Sequence, residues 1–507
     1  MIKWIIGKPA VLFALLFVVH FRGMAQGVPG AVDNYSGSSG VWINPSSIST
    51  GFVHDDIGLA SLSFMLDNDF AYLPSGSLWP SVRGLMAPGG SWALFDGLQS
   101  YKEYYYRYHS GEKPRNIYQS FDMDFPSLMK TFAGNHYMAF ALKQREYVSA
   151  TRVPWEIPVL ITESLSYDTM HHIRYPSEGM RLAMMGWSEV DLSYATVLFD
   201  NGAMKMDAGV TAKLPLGLSG LALNADVFDY EICNRDKLFF YHLDGSAGMS
   251  IPLAYDSSFR DPRQLEHLRG PFYKGWGWGG DVGLALTYKR NTMVRETPRS
   301  ACDDTPTPYY WRLGMSLIDA GWIHFSHHLI TGHLVGDSID VDLDVFDRIE
   351  TVHGAAYVFD SIVGNTVSAF DTAVPFAIGL PTAVSVQFDV NPYRDFYCNV
   401  TWIQPVSRWL YDYAVEREPM LSVTPRYETS FVGVSMPVTL YGYRYLTAGA
   451  FVRVGPLTLG TNDLLSLTGL GKTRSFSFLV SLRLKLDRGD CLFHPIIDAC
   501  GDRYRHR

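Results

Sequence analysis

Residues 275 to 289 read GWGWGGDVGLALTYK. Taken by parity, Trp276, Trp278, Gly280, Val282, Leu284, Leu286 and Tyr288 form one row, and Gly277, Gly279, Asp281, Gly283, Ala285, Thr287 and Lys289 form the other. Successive side chains of a strand point to opposite faces, so this is a strand with one greasy face and one face that is small or charged. Its aromatics stand at the two ends of the greasy face. A protein core and a lipid bilayer would both accept such a face.

The pattern recurs. In MKMDAGVTAKL (204–214) the charges of Lys205, Asp207 and Lys213 all fall in one row, and in FSFLVSLRLKL (476–486) Arg483 and Lys485 do the same. Weaker alternation runs around 57–65, 136–148, 189–199, 219–228, 311–325, 376–390, 396–404 and 428–454, with Gly, Pro, Asn and Asp between. These read as strands joined by turns. A soluble β-sandwich would clothe its outer faces in long charged side chains. Here the second face is mostly Gly, Ala, Ser and Thr, which suits the inside of a closed barrel where space is short. With 30 Tyr and 12 Trp, the chain can supply interfacial belts at both ends of many strands. Ten residues separate Trp278 from Tyr288. At about 3.3 Å per residue and a tilt near 45° they span roughly 23 Å, close to the ~25 Å apolar band of a membrane barrel.

The start of the chain carries an address. Lys3 and Lys8 precede the apolar run from Ala10 to Val19, and small residues end at Ala25. That is the pattern of a cleaved signal peptide over residues 1–25, and the run is too short to span a bilayer. Its removal lowers the formal charge of −9 by three, to −12, because Lys3, Lys8 and Arg22 go and no carboxylate does. An acidic chain without a basic footprint is no candidate for nucleic acid. The five cysteines, at 233, 302, 398, 491 and 500, make no disulfide framework. Cys491 and Cys500 could close a small loop in an oxidising compartment, and unpaired thiols fit nearly as well.

Other stretches do not read as wall. Residues 26–51 are rich in Gly, Ser, Pro and Asn, precede the first strand and could fill a lumen. Residues 95–133 and 346–364 read as loops with short helices. The domain plan is therefore a signal peptide (1–25), a plug or hatch segment (26–51), one barrel (52–486) and a tail (487–507). The fold class is all-β, a closed antiparallel transmembrane β-barrel.

Several short strings occur together and in order: NPSSI after the signal peptide, WSEVDLSYA (187–195), GVTAKL (209–214), LGMSLIDAGWIHF (313–325), IGLPTAVSVQFDV (378–390) and GPLTLGTNDLL (455–465). By these the chain resembles an uncharacterised family of outer-membrane barrels from Bacteroidota that is itself similar to FadL-type transporters of hydrophobic compounds. The resemblance implies about 14 strands and an N-terminal hatch. The transporters' hatch carries Asn-Pro-Ala, and the corresponding binding residues here are Asn44, Pro45 and Ser46, with serine in place of alanine. It also implies residence in the cell outer membrane, contact with outer-membrane lipid, and passage of a small hydrophobic or amphipathic molecule. Related gliding and type IX secretion barrels share similar strand motifs. The alternative is therefore a structural or docking barrel whose partners are secretion-machinery proteins, with residues 95–133 and 235–272 as partner surfaces.

Enzymatic signatures are missing: no G-x-S-x-G, H-E-x-x-H or phosphate-binding loop occurs. No enzyme, catalytic residue, metal or cofactor is expected. His324, His327 and His328 read as lumen or rim residues, and His171 and His172 beside Met170 as polar loop. Asp340, Asp342 and Asp344, with Asp337 and Asp347 nearby, read as a solvated acidic rim, lacking the glycine and terminal glutamate of a Ca²⁺ loop. Lys205, Asp207, Lys213, Asp281 and Lys289 are expected to pair across adjacent strands and brace the lumen.

Overall fold

A computed structural model describes residues 32–53, 55–75, 107–109, 111, 113–132, 135–163, 168–252, 255, 271–290, 309–342, 349–354, 357–358, 370–371 and 374–485. The signal peptide expected at 1–25, the tail after 485 and three of the cysteines, Cys302, Cys491 and Cys500, lie outside them. Cys233 and Cys398 are free thiols.

The wall runs β1 (Asp56–Asn68), β2 (Arg115–Phe132), β3 (His136–Val153), β4 (Arg174–Asp200) and β5 (Met204–Ile232). Then β6 comes in two pieces (Lys237–Ser250 and Gly275–Lys289), β7 in two (Tyr309–Phe325 and Leu329–Asp342) and β8 in three (Phe370–Asp371, Phe376–Gly379 and Ala383–Tyr393). The last six are β9 (Phe396–Pro405), β10 (Met420–Glu428), β11 (Val432–Ser435, Val438–Tyr441), β12 (Tyr445–Ala448, Ala450–Val454), β13 (Leu457–Thr461) and β14 (Ser475–Lys485). Every neighbour pairs antiparallel, and β14 closes on β1 with Leu484 opposite Ile57 and Phe476 opposite Leu66. The fold is a closed antiparallel barrel, as the alternating rows predict, and its 14 strands are the number that the resemblance implies. Closure removes every edge strand, the condition for β-structure in lipid.

Facing follows parity. Along β6, Trp276, Trp278, Val282 and Leu284 point out and are exposed, while Asp281, Ala285 and Thr287 point in and are buried. Exposed Trp276, Trp278, Trp322 and Trp402 ring one level of the exterior, and Tyr288, Tyr310, Tyr393 and Tyr427 ring the other, with Val282, Leu284, Met315 and Val423 between. This is the apolar band with aromatic girdles of a membrane barrel. Among the described residues no helix is long and apolar enough to cross a membrane. Tight connections such as 201–203, 394–395, 429–431 and 455–456 mark one rim, and longer ones such as 69–114, 154–173, 406–419 and 462–474 mark the other.

The wall is uneven in height. The sequence splits 204–214 from 219–228, whereas β5 is one strand of 29 residues and β4 one of 27; a tilted span needs only ~9–11. On β3 and β4 the outer face turns polar where Ser188 Oγ donates to Gln144 Oε1 (2.5 Å). Beyond it, outward Val148, Met184, Leu221, Met249 and Ile330 are covered by Ile251, Tyr255 and Val352. That half of the barrel therefore stands clear of the lipid band with its own apolar cover.

Two loop expectations are corrected. Residues 95–133 contain β2, whose inward row Tyr118, Ser120, Asp122 and Asp124 is too polar to announce a wall strand, and Pro126 sits at a register shift between Asp124 and Ser127. Residues 235–272 contain the first piece of β6, paired with β5 and with the second piece of β7. Helical turns do occur at 352–354.

Candidate functional site

The interior carries the chemistry. Residues 32–53 lie against inward side chains from all around the wall. Asn44 Nδ2 donates to Leu284 O (3.2 Å) and to Gln387 Oε1 (3.1 Å), while its Oδ1 accepts from Ser46 N (3.0 Å) and Ser46 Oγ (2.7 Å). The serine at 46 thus satisfies its hydroxyl locally, so the turn holds as well with serine as with alanine. The seat for this turn is a notch of glycines on three adjacent strands. A Cβ on Gly209 would lie 2.5 Å from Pro45 C, one on Gly283 would lie 2.1 Å from Asn44 Oδ1, and one on Gly314 would lie 2.9 Å from Asn44 Nδ2. Only a missing side chain lets the backbone approach so closely.

The rest of the segment is tied down by polar contacts. The one-turn helix Ser47–Thr50 ends in free carbonyls. Lys205 Nζ donates to Ser49 O (2.8 Å) and Arg312 NH2 to Thr50 O (2.7 Å). Arg453 pairs with Asp33 (2.8 Å), Arg483 NH1 donates to Ser38 Oγ (2.5 Å), and Asn34 Nδ2 donates to Glu428 Oε2 (2.9 Å).

Above this segment, toward the rim with long loops, sits a buried ionic cluster. Asp319 receives Arg145 NH1 and NH2 (2.8 and 3.1 Å), Lys213 Nζ (2.5 Å) and Arg417. Arg145 also reaches Asp122 (2.8 Å) and Glu189 (3.3 Å), Lys143 reaches Asp191 (2.6 Å), and Lys213 reaches Asp281 (2.9 Å). The Trp42 ring of the N-terminal segment covers Lys143 Nζ (3.9 Å to the centroid) and the Arg145 guanidinium (4.8 Å). Carboxylates and cations nearly balance, which is the condition for burying so many.

Asp319 is not among the expected site residues, although its signal was present. With Leu313, Met315 and Leu317 facing lipid, simple alternation would put Asp319 in the membrane. A register shift between Leu317 and Ala320 turns it inward, at a left-handed φ of 54° that aspartate tolerates better than most residues. Arg417 carried no comparable signal. It comes from the connection between β9 and β10, of which residues 413–415 fold in beside Gly379: Val415 N donates to Gly379 O (3.2 Å) and Gly379 N to Tyr413 O (2.8 Å). Burial pushes the Glu416 carboxyl up against the pull of Arg408, and burial together with the neighbouring Asp67 holds Glu418 well above the usual carboxylate range.

This connection divides the lumen. On the side of β3 to β8, Tyr147, Trp187, Ile323, Phe325, Phe376 and Leu380 pack with Val415 and Tyr413. On the side of β1, β2 and β14 runs a narrow polar cleft of about 60 Å³, lined by Tyr35, Ser63, Asp124, Arg417, Arg453 and Arg483 among others.

The remaining candidates disperse. Lys213 pairs with Asp281 across strands, Lys205 with Asp207 on its own strand (2.9 Å), and Lys289 with Asp200. His324 faces outward, and at the break in β7 it is the carbonyls of His327 and His328 that accept, from Ser250 Oγ (2.7 Å) and Tyr255 Oη (2.6 Å). Asp337 and Asp340 meet His242 and Lys237 on β6; Asp344 and Asp347 lie outside the described residues. Met170 is buried in an apolar cluster while His172 is exposed. Among the described residues no group of three or more His, Cys, Asp or Glu side chains is arranged to hold a metal ion.

Fold and interior together define a transmembrane β-barrel with an occupied lumen. The chain belongs to a family of unknown function, DUF5723, matched over residues 95–462. No curated protein matches it. Among solved structures it is similar to the TodX deltaS2S3 mutant monoaromatic hydrocarbon channel at 7% identity and TM-score 0.30, covering 89% of this chain and 95% of that one. A Pseudomonas aeruginosa FadL homologue gives 9% identity and TM-score 0.27 over 88% and 93%. The outer membrane protease OmpT of Escherichia coli gives 7% and 0.19 over 85% and 95%. Likeness of this degree carries no argument about cargo.

Proposed function

We propose that this chain is an outer-membrane barrel that passes a small amphipathic solute through a lumen closed at rest by two barriers, the N-terminal segment and the inward connection 411–418. The observation that carries this reading is the seat of Asn44, Pro45 and Ser46, a shaped glycine notch in a segment held by hydrogen bonds and by the Asp33–Arg453 ion pair. Polar contacts of this kind exchange with water at small net cost, so the segment suits a hatch better than permanent core. The interior supports an amphipathic cargo because one side of the lumen is apolar and the other polar. The exterior girdles support residence in the membrane, and long connections at one rim with tight ones at the other support the usual outward orientation.

Liposome swelling tests this. Proteoliposomes in isotonic phenylalanine, an amphipathic zwitterion that crosses lipid slowly, should swell several-fold faster when residues 28–50 are deleted or when 411–418 is replaced by eight Gly and Ser residues. Folded variants that leave swelling at the protein-free rate would favour the docking scaffold instead.

A further inference from the structure

At the long-loop rim a second cavity, of about 360 Å³, opens above the inward connection. It is lined by Lys113, Asn116, Tyr118, Thr151, Arg152, Arg408, Glu416 and Arg444. Four cations therefore face one carboxylate, in a chain whose net charge is −9. Arg444 is paired with Asp69. Among the described residues no ion pair is found for Lys113, Arg152 or Arg408, all of which are exposed. The positive ground extends along the rim. Half-buried His109 is pushed down to about 4, first by desolvation and then by Arg474, Arg115 and Lys472.

This cavity lies in the barrel mouth and not on its lipid face. Asn116 and Tyr118 share the inward row of β2 with Asp122, and Thr151 shares that of β3 with Arg145 and Tyr147. Glu416 lines this cavity and Arg417, the next residue, lines the polar cleft below. One stretch of backbone thus separates the two cavities, and both carry guanidinium groups.

We propose that the mouth is a binding site for a small solute bearing a carboxylate or phosphate group, held by Arg152, Arg408 and Lys113 above the connection that carries Glu416 and Arg417. The inference rests on the transport reading only for what happens to the anion next; the binding site stands without it. Guanidinium groups bind carboxylate and phosphate oxygens in pairs, and the flexible Lys113 adds a point charge. An inward position makes a free solute the occupant and not a lipid headgroup.

The test is equilibrium binding to the detergent-solubilised full chain at low salt, with inorganic phosphate, benzoate and glucose as probes. Phosphate or benzoate should bind and glucose should not, and binding should weaken as salt is raised. The double variant Arg152→Gln, Arg408→Gln, whose side chains are exposed and whose folding is checked by heat-modifiability on gels, should bind at least tenfold more weakly. Equal affinity for glucose, or unchanged anion affinity in the folded double variant, would overturn the proposal. Binding to phosphatidylglycerol vesicles without binding of either free anion would also overturn it and assign the cations to lipid. The transport reading is judged separately by phenylalanine swelling: anion binding without swelling in any variant leaves the site standing and removes the channel.

Discussion

The two sides of the lumen are built on opposite principles. On one, Phe325 stacks on Phe376 at 5.4 Å with Trp187, Ile378 and Leu380 around them, a packed core inside a membrane wall. On the other, Ser61, Ser63, Ser481, Asp124 and Arg483 leave a cleft beside the N-terminal segment. The difference teaches where stability resides and where the proposed passage would run. Apolar packing closes the lumen between β3 and β8, while the side between β14 and β2 is closed by polar groups that water can replace.

The contrast is exposed most strongly by its shared member. Asp319→Asn removes the carboxylate that Arg145, Lys213 and Arg417 share, the one ion-pair partner shown for Arg417 among the described residues, and should destabilise the barrel by about 3–5 kcal/mol, seen as earlier unfolding in a heat-modifiability series. Loss of similar size is expected for Phe325→Ala, about 3–5 kcal/mol for emptying a fully buried aromatic site; a small effect there would show that the packed side is not packed. Gly283→Val, which drives a side chain into Asn44 and Pro45, should cost roughly 1–3 kcal/mol as overpacking. It should also make residues 32–53 cleavable by protease while the wall persists. On the polar side Ser481→Ala should stay within about 0.5 kcal/mol, and a large loss would break the comparison.

Much of this was legible in the sequence because a barrel writes its two faces into alternate residues. The outward and inward rows of 275–289 stand in the structure as parity places them, and the resemblance drew attention to Asn44, Pro45 and Ser46, whose seat the glycines Gly209, Gly283 and Gly314 form. What escaped was wherever parity breaks. Pro126 and the adjacent register shift hid β2, and the shift at Asp319 concealed the centre of the ionic cluster, although an aspartate in a lipid-facing row was itself the sign of a bulge. Arg417 escaped for a different reason: it acts from a connection, where no periodicity says which way a side chain points.

Single-channel conductance in planar bilayers tests the central claim most directly, using wild type, the deletion of 28–50, the Gly/Ser replacement of 411–418, and the two changes combined. Two barriers in series predict near-zero conductance for wild type, brief or small openings for each single change, and a steady open level for the combination. A correctly assembled combined variant that stays closed would contradict the account, because the barrel would then be shut by its packed side alone.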